Sequence, residues 1–430
     1  MMNIQEIKTI LSEVEGISAY EIRETKTESR QLFYVLKDLE TNRAVETTDT
    51  VVTLYKDFDG FRGSSSFALI AADNAETLKA KAAATLKKAE AARNPYYPLA
   101  EKSENLTRRL DSACDMTELA VKAADAIFAA DVIEKSSLNA TEIFVNKTGT
   151  HFLNSNGVEH SFEKLSLFFE SIPSCSWQGE EYELYFSHAT TDLDVSAFTK
   201  LMAEELHNVL YRAAAVTPQE AGIPSDLPVY VKGGMLMRLV GNFANDLSYR
   251  SRYYKSNHYE IGQEISPVPF DLILKGEEKG ANNSSPVDAS GLPLGETTVI
   301  KDGKAVASWG DLRFGTYLKE EKITGSYPVM VLKSEACISE EDRQRPYLEV
   351  MNFSSPQLDE SSGYFGGEVR LALYHDAEKV VPLTGFSISG NIYEAIKTVR
   401  FSPEEEVVSG ERGLSLKGPK YAVFRDIRIS

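Results

Sequence analysis

The feature that most limits what this chain can fold into is a repeated change of hydrophobic period. Between Ile17 and Ile70 the apolar residues fall in short β-branched and aromatic runs: Ala19-Tyr20-Glu21-Ile22-Arg23, Gln31-Leu32-Phe33-Tyr34-Val35-Leu36 and Thr50-Val51-Val52-Thr53-Leu54-Tyr55. Turn-forming clusters around 38–42, 57–60 and 63–66 separate them, the pattern of a small antiparallel sheet. From Ala75 to Arg93 the composition shifts to Ala, Leu, Lys and Glu, strong helix formers, and the run stops at Asn94-Pro95-Tyr96-Tyr97-Pro98. The alternation then recurs. An Ala-rich helix over Met116–Asp131, with Asp115 or Thr117 as its cap, precedes strands over 140–190 whose Asn156-Gly157 pair marks a tight hairpin. A third helix spans Ser196–Ala214, and from about Pro267 short strands and glycine-bearing turns dominate.

Strands and helices in such blocks, with an amphipathic opening helix on Ile4, Ile7, Ile10, Leu11 and Val14, predict an α+β protein. A small N-terminal α/β unit with antiparallel strands is followed by a larger strand-rich α+β C-terminal unit. The expected divisions are an N-terminal domain over 1–98, a central helix and β-meander region over 99–224, and a C-terminal domain over 225–430. With 430 residues and 42% hydrophobic content, the chain can bury a large core.

A formal net charge of −18 repels phosphate backbones, which argues against direct nucleic-acid binding. The opening Met1-Met2-Asn3-Ile4-Gln5-Glu6 lacks a signal-peptide pattern, and no apolar run approaches the roughly 18 residues of a membrane helix. The expectation is therefore a cytoplasmic protein without membrane contact. Cys114, Cys175 and Cys337 are isolated and odd in number, so they are expected to be reduced, mostly buried thiols.

The short strand Pro228-Val229-Tyr230-Val231 leads through Gly233-Gly234 into a helix reading Met235-Leu236-Met237-Arg238-Leu239-Val240-Gly241-Asn242. It holds no His, Asp, Glu or Cys. Downstream stand Ser248-Tyr249-Arg250-Ser251-Arg252-Tyr253-Tyr254 with Ile261-Gly262-Gln263-Glu264-Ile265, then the turn Asp288-Ala289-Ser290-Gly291-Leu292-Pro293 with Val299–Lys304. Two glycine-bearing stretches, Ser362–Arg370 and Pro382–Ile392, come last.

Together with the hairpin Phe152-Leu153-Asn154-Ser155-Asn156-Gly157-Val158, these stretches, in this order, resemble the TldD/PmbA family, long labelled modulators of DNA gyrase and regarded as metalloprotease subunits. The resemblance spans essentially the whole chain. One kind of member carries a helical His-Glu-x-x-x-His motif that coordinates zinc and activates water; the PmbA/TldE-like kind lacks it. Here Met237 and Asn242 fall at the two His positions and Arg238 at the Glu position, and none can take over the role of the family residue. Ser290 also replaces the Glu usual in the Asp288 turn.

The resemblance implies a non-catalytic subunit with no cofactor of its own, zinc being expected only in a partner. That partner is a TldD-like subunit bearing the intact motif, or a second copy of the chain, and the substrate is unfolded peptide. The cluster Tyr249, Arg250, Arg252, Tyr253, Tyr254 and His258 departs from the acidic average. Aromatic and Arg side chains bury much area with few frozen rotors, so it is the candidate surface for peptide or partner. Its alternative is a partly buried loop packed on the adjoining helix.

Two readings of other classes stay open: a free-standing peptidase or hydrolase with an unrecognised site, and a peptide- or protein-binding protein unrelated to proteolysis. For the first, His151 and His160 could face each other across the Asn156-Gly157 hairpin, though ordinary strand positions are expected. His207, beside Glu204 and Glu205, and the run Glu404-Glu405-Glu406 read as solvated surface. No P-loop, GxSxG elbow or helical His pair occurs.

Overall fold

The computed structural model describes residues 2–110, 114–410 and 413–430. The N-terminal runs form strands far longer than their patterns suggest, Ala19–Val35 and Asp38–Phe58, continued by Phe61–Leu69. The sheet does not stop at the change of composition near residue 98. Ala19–Val35 pairs antiparallel along its length with Ser136–Asn154, which in turn pairs with Glu159–Trp177. One nine-stranded sheet therefore joins the expected small N-terminal sheet to the strands of the central region.

Helices cover one face of this sheet. Ile22 and Leu32 lie ten residues apart on the same strand and hence on the same side. Ile22 packs with Ile7 and Leu11 of helix Ile4–Ser12 and with Leu78 and Leu86 of helix Ala75–Ala89. Leu32 packs with Ile127 of helix Met116–Phe128 and with Phe198, Met202 and Leu206 of helix Ala197–Ala213. Asp115 caps the third helix, accepting the amides of Thr117 and Glu118 at 2.9 and 3.1 Å.

The C-terminal region builds two more sheets around one large core. A nine-stranded sheet contains Val229–Lys232, Tyr347–Phe353, Tyr364–His375 and Phe386–Asn391, and a six-stranded sheet contains Asp271–Lys275, Val329–Lys333 and Ser415–Pro419. Helix Gly233–Asp246 runs through that core. Its buried Leu236, Leu239, Val240 and Phe243 recur at the i, i+3, i+4, i+7 spacing of one helical face and meet Phe270, Leu332, Ile392, Phe401 and Phe424.

Some expected surface positions turn inward. Cys175 is buried as expected, but Cys114 and Cys337 are exposed. Glu205 and Glu406 are partly buried, and burial raises the pKa of both carboxyls. Their neighbours Glu204, His207, Glu404 and Glu405 stay exposed. No helix among the described residues is long and apolar enough to cross a membrane.

Candidate functional site

The motif-bearing helix follows strand Val229–Lys232 directly, starting at Gly233, whose φ of +58° suits a residue without Cβ. Its three motif positions point to different neighbours. Met237, 7% exposed, lies against Gly410, where an added Cβ would come within 2.5 Å of the Met237 Cε. Arg238 donates from Nη1 to the Pro356 carbonyl at 2.8 Å. Asn242, 3% exposed, donates from Nδ2 to the Tyr393 hydroxyl at 3.0 Å, and its Oδ1 has no hydrogen-bond partner among the described residues.

The polar face continues past the motif. Asn245 donates to the Glu360 carboxylate at 3.0 Å. Asp246 accepts the amide and Nδ1 of His258 at 2.7 and 3.0 Å and the amide of Tyr259 at 3.1 Å. The His258 ring then lies 4.2 Å from that of Tyr393. Burial foremost pushes the Tyr393 hydroxyl up to about 12, so it stays protonated, and it also reaches the Glu360 carbonyl at 3.3 Å. Helix, His258 and the 356–360 stretch are thus joined around Tyr393, a residue that sequence reasoning passed over although it closely follows the Gly390-Asn391 end of a strand.

A thioether, a guanidinium and an amide do not make a zinc ligand set, which needs imidazole, thiolate or carboxylate donors. Among the described residues no three His, Cys, Asp or Glu side chains converge as a metal site would require. The residues present therefore do not fit the metal that a metallopeptidase would hold here.

The aromatic and Arg cluster is carried by a helix, Tyr249–Tyr254, and not by the loop of the alternative reading. It divides into inward and outward residues. Tyr249 is 1% exposed, its ring packed on Gly310, and Arg252 binds Glu320 and Ser308, both at 2.8 Å. His258 belongs to the Asp246 network. Arg250, Tyr253 and Tyr254 face outward, with Tyr253 37% and Tyr254 58% exposed.

His151 and His160 do not face each other. His151 is opposite Ser161 and Phe152 opposite His160, so the two imidazoles emerge on opposite faces of the hairpin. His151 contacts Glu159 at 2.8 Å. His160 is fully buried: Nδ1 accepts the Leu106 amide at 3.1 Å and Nε2 meets the Gly291 carbonyl at 3.0 Å, while burial lowers its pKa. The hairpin and the Asp288 turn, far apart in sequence, are two halves of one joint between the first sheet and the C-terminal region.

Comparison with known proteins agrees with this architecture. Residues 224–415 match the sequence model of the PmbA/TldA metallopeptidase C-terminal domain. No curated protein matches the chain. The chain superposes on TldE from Thermococcus kodakarensis with a TM-score of 0.75 at 14% identity, covering 99% of each chain. A proposed modulator of a DNA gyrase from Thermotoga maritima gives a TM-score of 0.77 at 14% identity over 100% of both chains. One from Bacteroides thetaiotaomicron gives 0.75 at 13% identity, covering 99% of this chain and 97% of the other. The comparisons thus agree on two points: residues 224–415 match the PmbA/TldA metallopeptidase C-terminal domain, and the chain as a whole shares the fold of these TldE and gyrase-modulator structures.

Proposed function

We propose that this protein is a PmbA/TldE-like subunit of a TldD-type peptidase, in which a partner bearing the intact His-Glu-x-x-x-His motif supplies zinc and chemistry. This subunit would shape the site that receives unfolded peptide in the cytoplasm. The observation that carries the reading is the engagement of the motif positions. Met237 fills space at Gly410, Arg238 holds the Pro356 carbonyl and Asn242 holds Tyr393, so the helix serves as a structural pillar. The resemblance in fold to TldE from Thermococcus kodakarensis supports the same role.

The test is reconstitution. The chain alone and the chain mixed with a motif-bearing relative are assayed for cleavage of a disordered peptide, with size-exclusion chromatography of each. The expected result is an inert isolated chain, a mixed complex and cleavage only in the mixture. Chelator-sensitive cleavage by the isolated chain would overturn the reading.

A further inference from the structure

We propose that a ribbon of aromatic and arginine side chains running from Tyr254 to Tyr96 is a docking track for extended polypeptide. It would select segments that carry both carboxylate and aromatic side chains. This rests on the peptide-handling role above and adds the chemistry of what is recognised.

The track begins on helix Tyr249–Tyr254, where Arg250, Tyr253 and Tyr254 stand at i, i+3 and i+4 on one face. It then passes through ring contacts. Tyr254 and Tyr253 lie 5.3 Å apart, Tyr253 and Tyr317 5.2 Å, and Tyr317 and Tyr97 6.1 Å. Arg313 spreads over Tyr317 and Tyr97 at 5.6 and 5.8 Å. Beyond Tyr97 stands Tyr96, 49% exposed, its ring backed at 4.5 Å by the guanidinium of Arg62, which is buried and held by Asp57 and so supports the ring without itself offering charge. The ribbon thus crosses from the C-terminal region onto the segment that follows helix Ala75–Ala89.

Its middle is ordered in advance. The Tyr317 hydroxyl donates to the Pro95 carbonyl at 2.7 Å, and Arg313 Nη2 donates to Asn94 Oδ1 at 2.6 Å. Binding there freezes few rotors, which lowers the entropic cost of association.

Charge then selects the occupant. On a chain of net charge −18, exposed Arg250 and Lys255 make no ion pair among the described residues, and Arg313 bonds only the neutral Asn94 and Tyr317. The nearby acids Asp311 and Glu320 are engaged, Asp311 with the Phe314 amide and Glu320 with Arg252. Unpaired guanidinium beside exposed tyrosine suits a carboxylate next to an aromatic ring. The net acidity of the chain disfavours such a peptide over the surface at large, so charge favours this track where cation and aromatic rings stand together.

Fluorescence anisotropy of the purified full-length chain tests the proposal with three labelled disordered peptides: Glu- and Phe-rich, Lys- and Phe-rich, and Glu- and Ser-rich. The first should bind at least about tenfold more tightly than either control. Arg250→Glu should abolish that preference and Tyr254→Ala should weaken the Glu- and Phe-rich peptide about tenfold, both with unchanged melting temperature because the residues are exposed. Equal binding of all three peptides, or indifference to Arg250→Glu, overturns the proposal. So does tighter binding of a labelled oligonucleotide, or concentration-dependent self-association that Arg250→Glu removes. Failure of the partner-subunit reading is seen separately. No peptide binding by this chain together with cleavage in the mixture sinks the track alone, whereas selective binding without cleavage in any mixture sinks the subunit role alone.

Discussion

Gly291 lies directly against the ring of Phe152: a Cβ at residue 291 would stand 2.2 Å from the Phe152 Cε1. The glycine also has φ +80°, and its carbonyl meets buried His160. Arg23 adds a clamp, donating from Nη2 to the Ala289 carbonyl at 3.0 Å and the Asp288 carbonyl at 3.3 Å. Asp288 shapes the turn by accepting the amides of Ser290, Leu292 and Ser326. Two stretches that look like separate turn motifs in sequence thus form one close-packed joint, with Phe152 on the sheet and Gly291 in the turn.

Gly291→Ala should therefore be strongly destabilising. Left-handed backbone strain and overpacking each cost about 1–3 kcal/mol, so a loss of about 2–6 kcal/mol is expected in urea unfolding. Adding Phe152→Leu should recover part of it. A single variant with a wild-type midpoint would show that the joint yields freely.

The same joint should make stability depend on pH. Burial foremost raises the Glu21 carboxyl to about 7, against the Tyr55 hydroxyl bond at 2.8 Å, Arg23 and Arg62, with Asp288 adding repulsion. The folded state therefore holds a proton that the unfolded state releases near 4.5. The contribution from Glu21 is fully present below pH 4.5 and is lost as pH rises through about 7. Glu21→Gln should raise the melting temperature at pH 8 and change it little at pH 4.5. A gain equal at both values would remove Glu21 as the cause.

Glu349 should act in the opposite direction. Burial raises its carboxyl, but His375 and Lys232 outweigh burial and bring it down to about 2. Lys232 Nζ is 3.2 Å from Oε1; His375 Nε2 is also 3.2 Å from Oε2, close but poorly aligned for a hydrogen bond. Stability from this group is present above pH 4.5 and fades as pH falls through about 2. Glu349→Gln leaves Lys232 without its carboxylate and should cost about 3 kcal/mol at pH 7. A neutral result in thermal unfolding would mean that Lys232 finds another partner.

Restoring the motif residues should not restore a metal site. In the triple variant Met237→His, Arg238→Glu, Asn242→His, the new imidazoles would replace side chains packed against different neighbours, one against Gly410 and one against Tyr393. Residue 238 of the variant can no longer hold the Pro356 carbonyl, and the two imidazoles start from separately packed sites, so elemental analysis should find well under one zinc per chain. One tightly held zinc per chain would refute this.

Local structure was legible where a short stretch decides it. The helix expected over Ser196–Ala214 spans Ala197–Ala213, and Met116–Asp131 spans Met116–Phe128, because hydrophobic period, and for the second helix the Asp115 cap, are local signals. The Asn156-Gly157 hairpin is present, with Gly157 at φ +89°. What escaped was set by distant partners. Nothing within Ala19–Val35 states that it pairs with Ser136–Asn154, so one sheet reads as two. The inward turn of Glu205 and Glu406 likewise depends on neighbours that only the fold supplies. The blank at Met237, Arg238 and Asn242 was legible, but the packing of each side chain was not.

The bonds from helix Gly233–Asp246 to the 356–360 stretch carry a kinetic consequence. Arg238, Asn245 and, through Tyr393, Asn242 fasten that stretch to the most deeply buried helix of the C-terminal region. A surface segment fastened in this way opens only when its anchor does, so its amide hydrogens should exchange with solvent on the timescale of the core. The stretch, whose Gln357–Leu358 also pairs with Phe365 and Gly366, is a fixed wall, and any movement that admits a ligand to this side of the protein has to come from elsewhere.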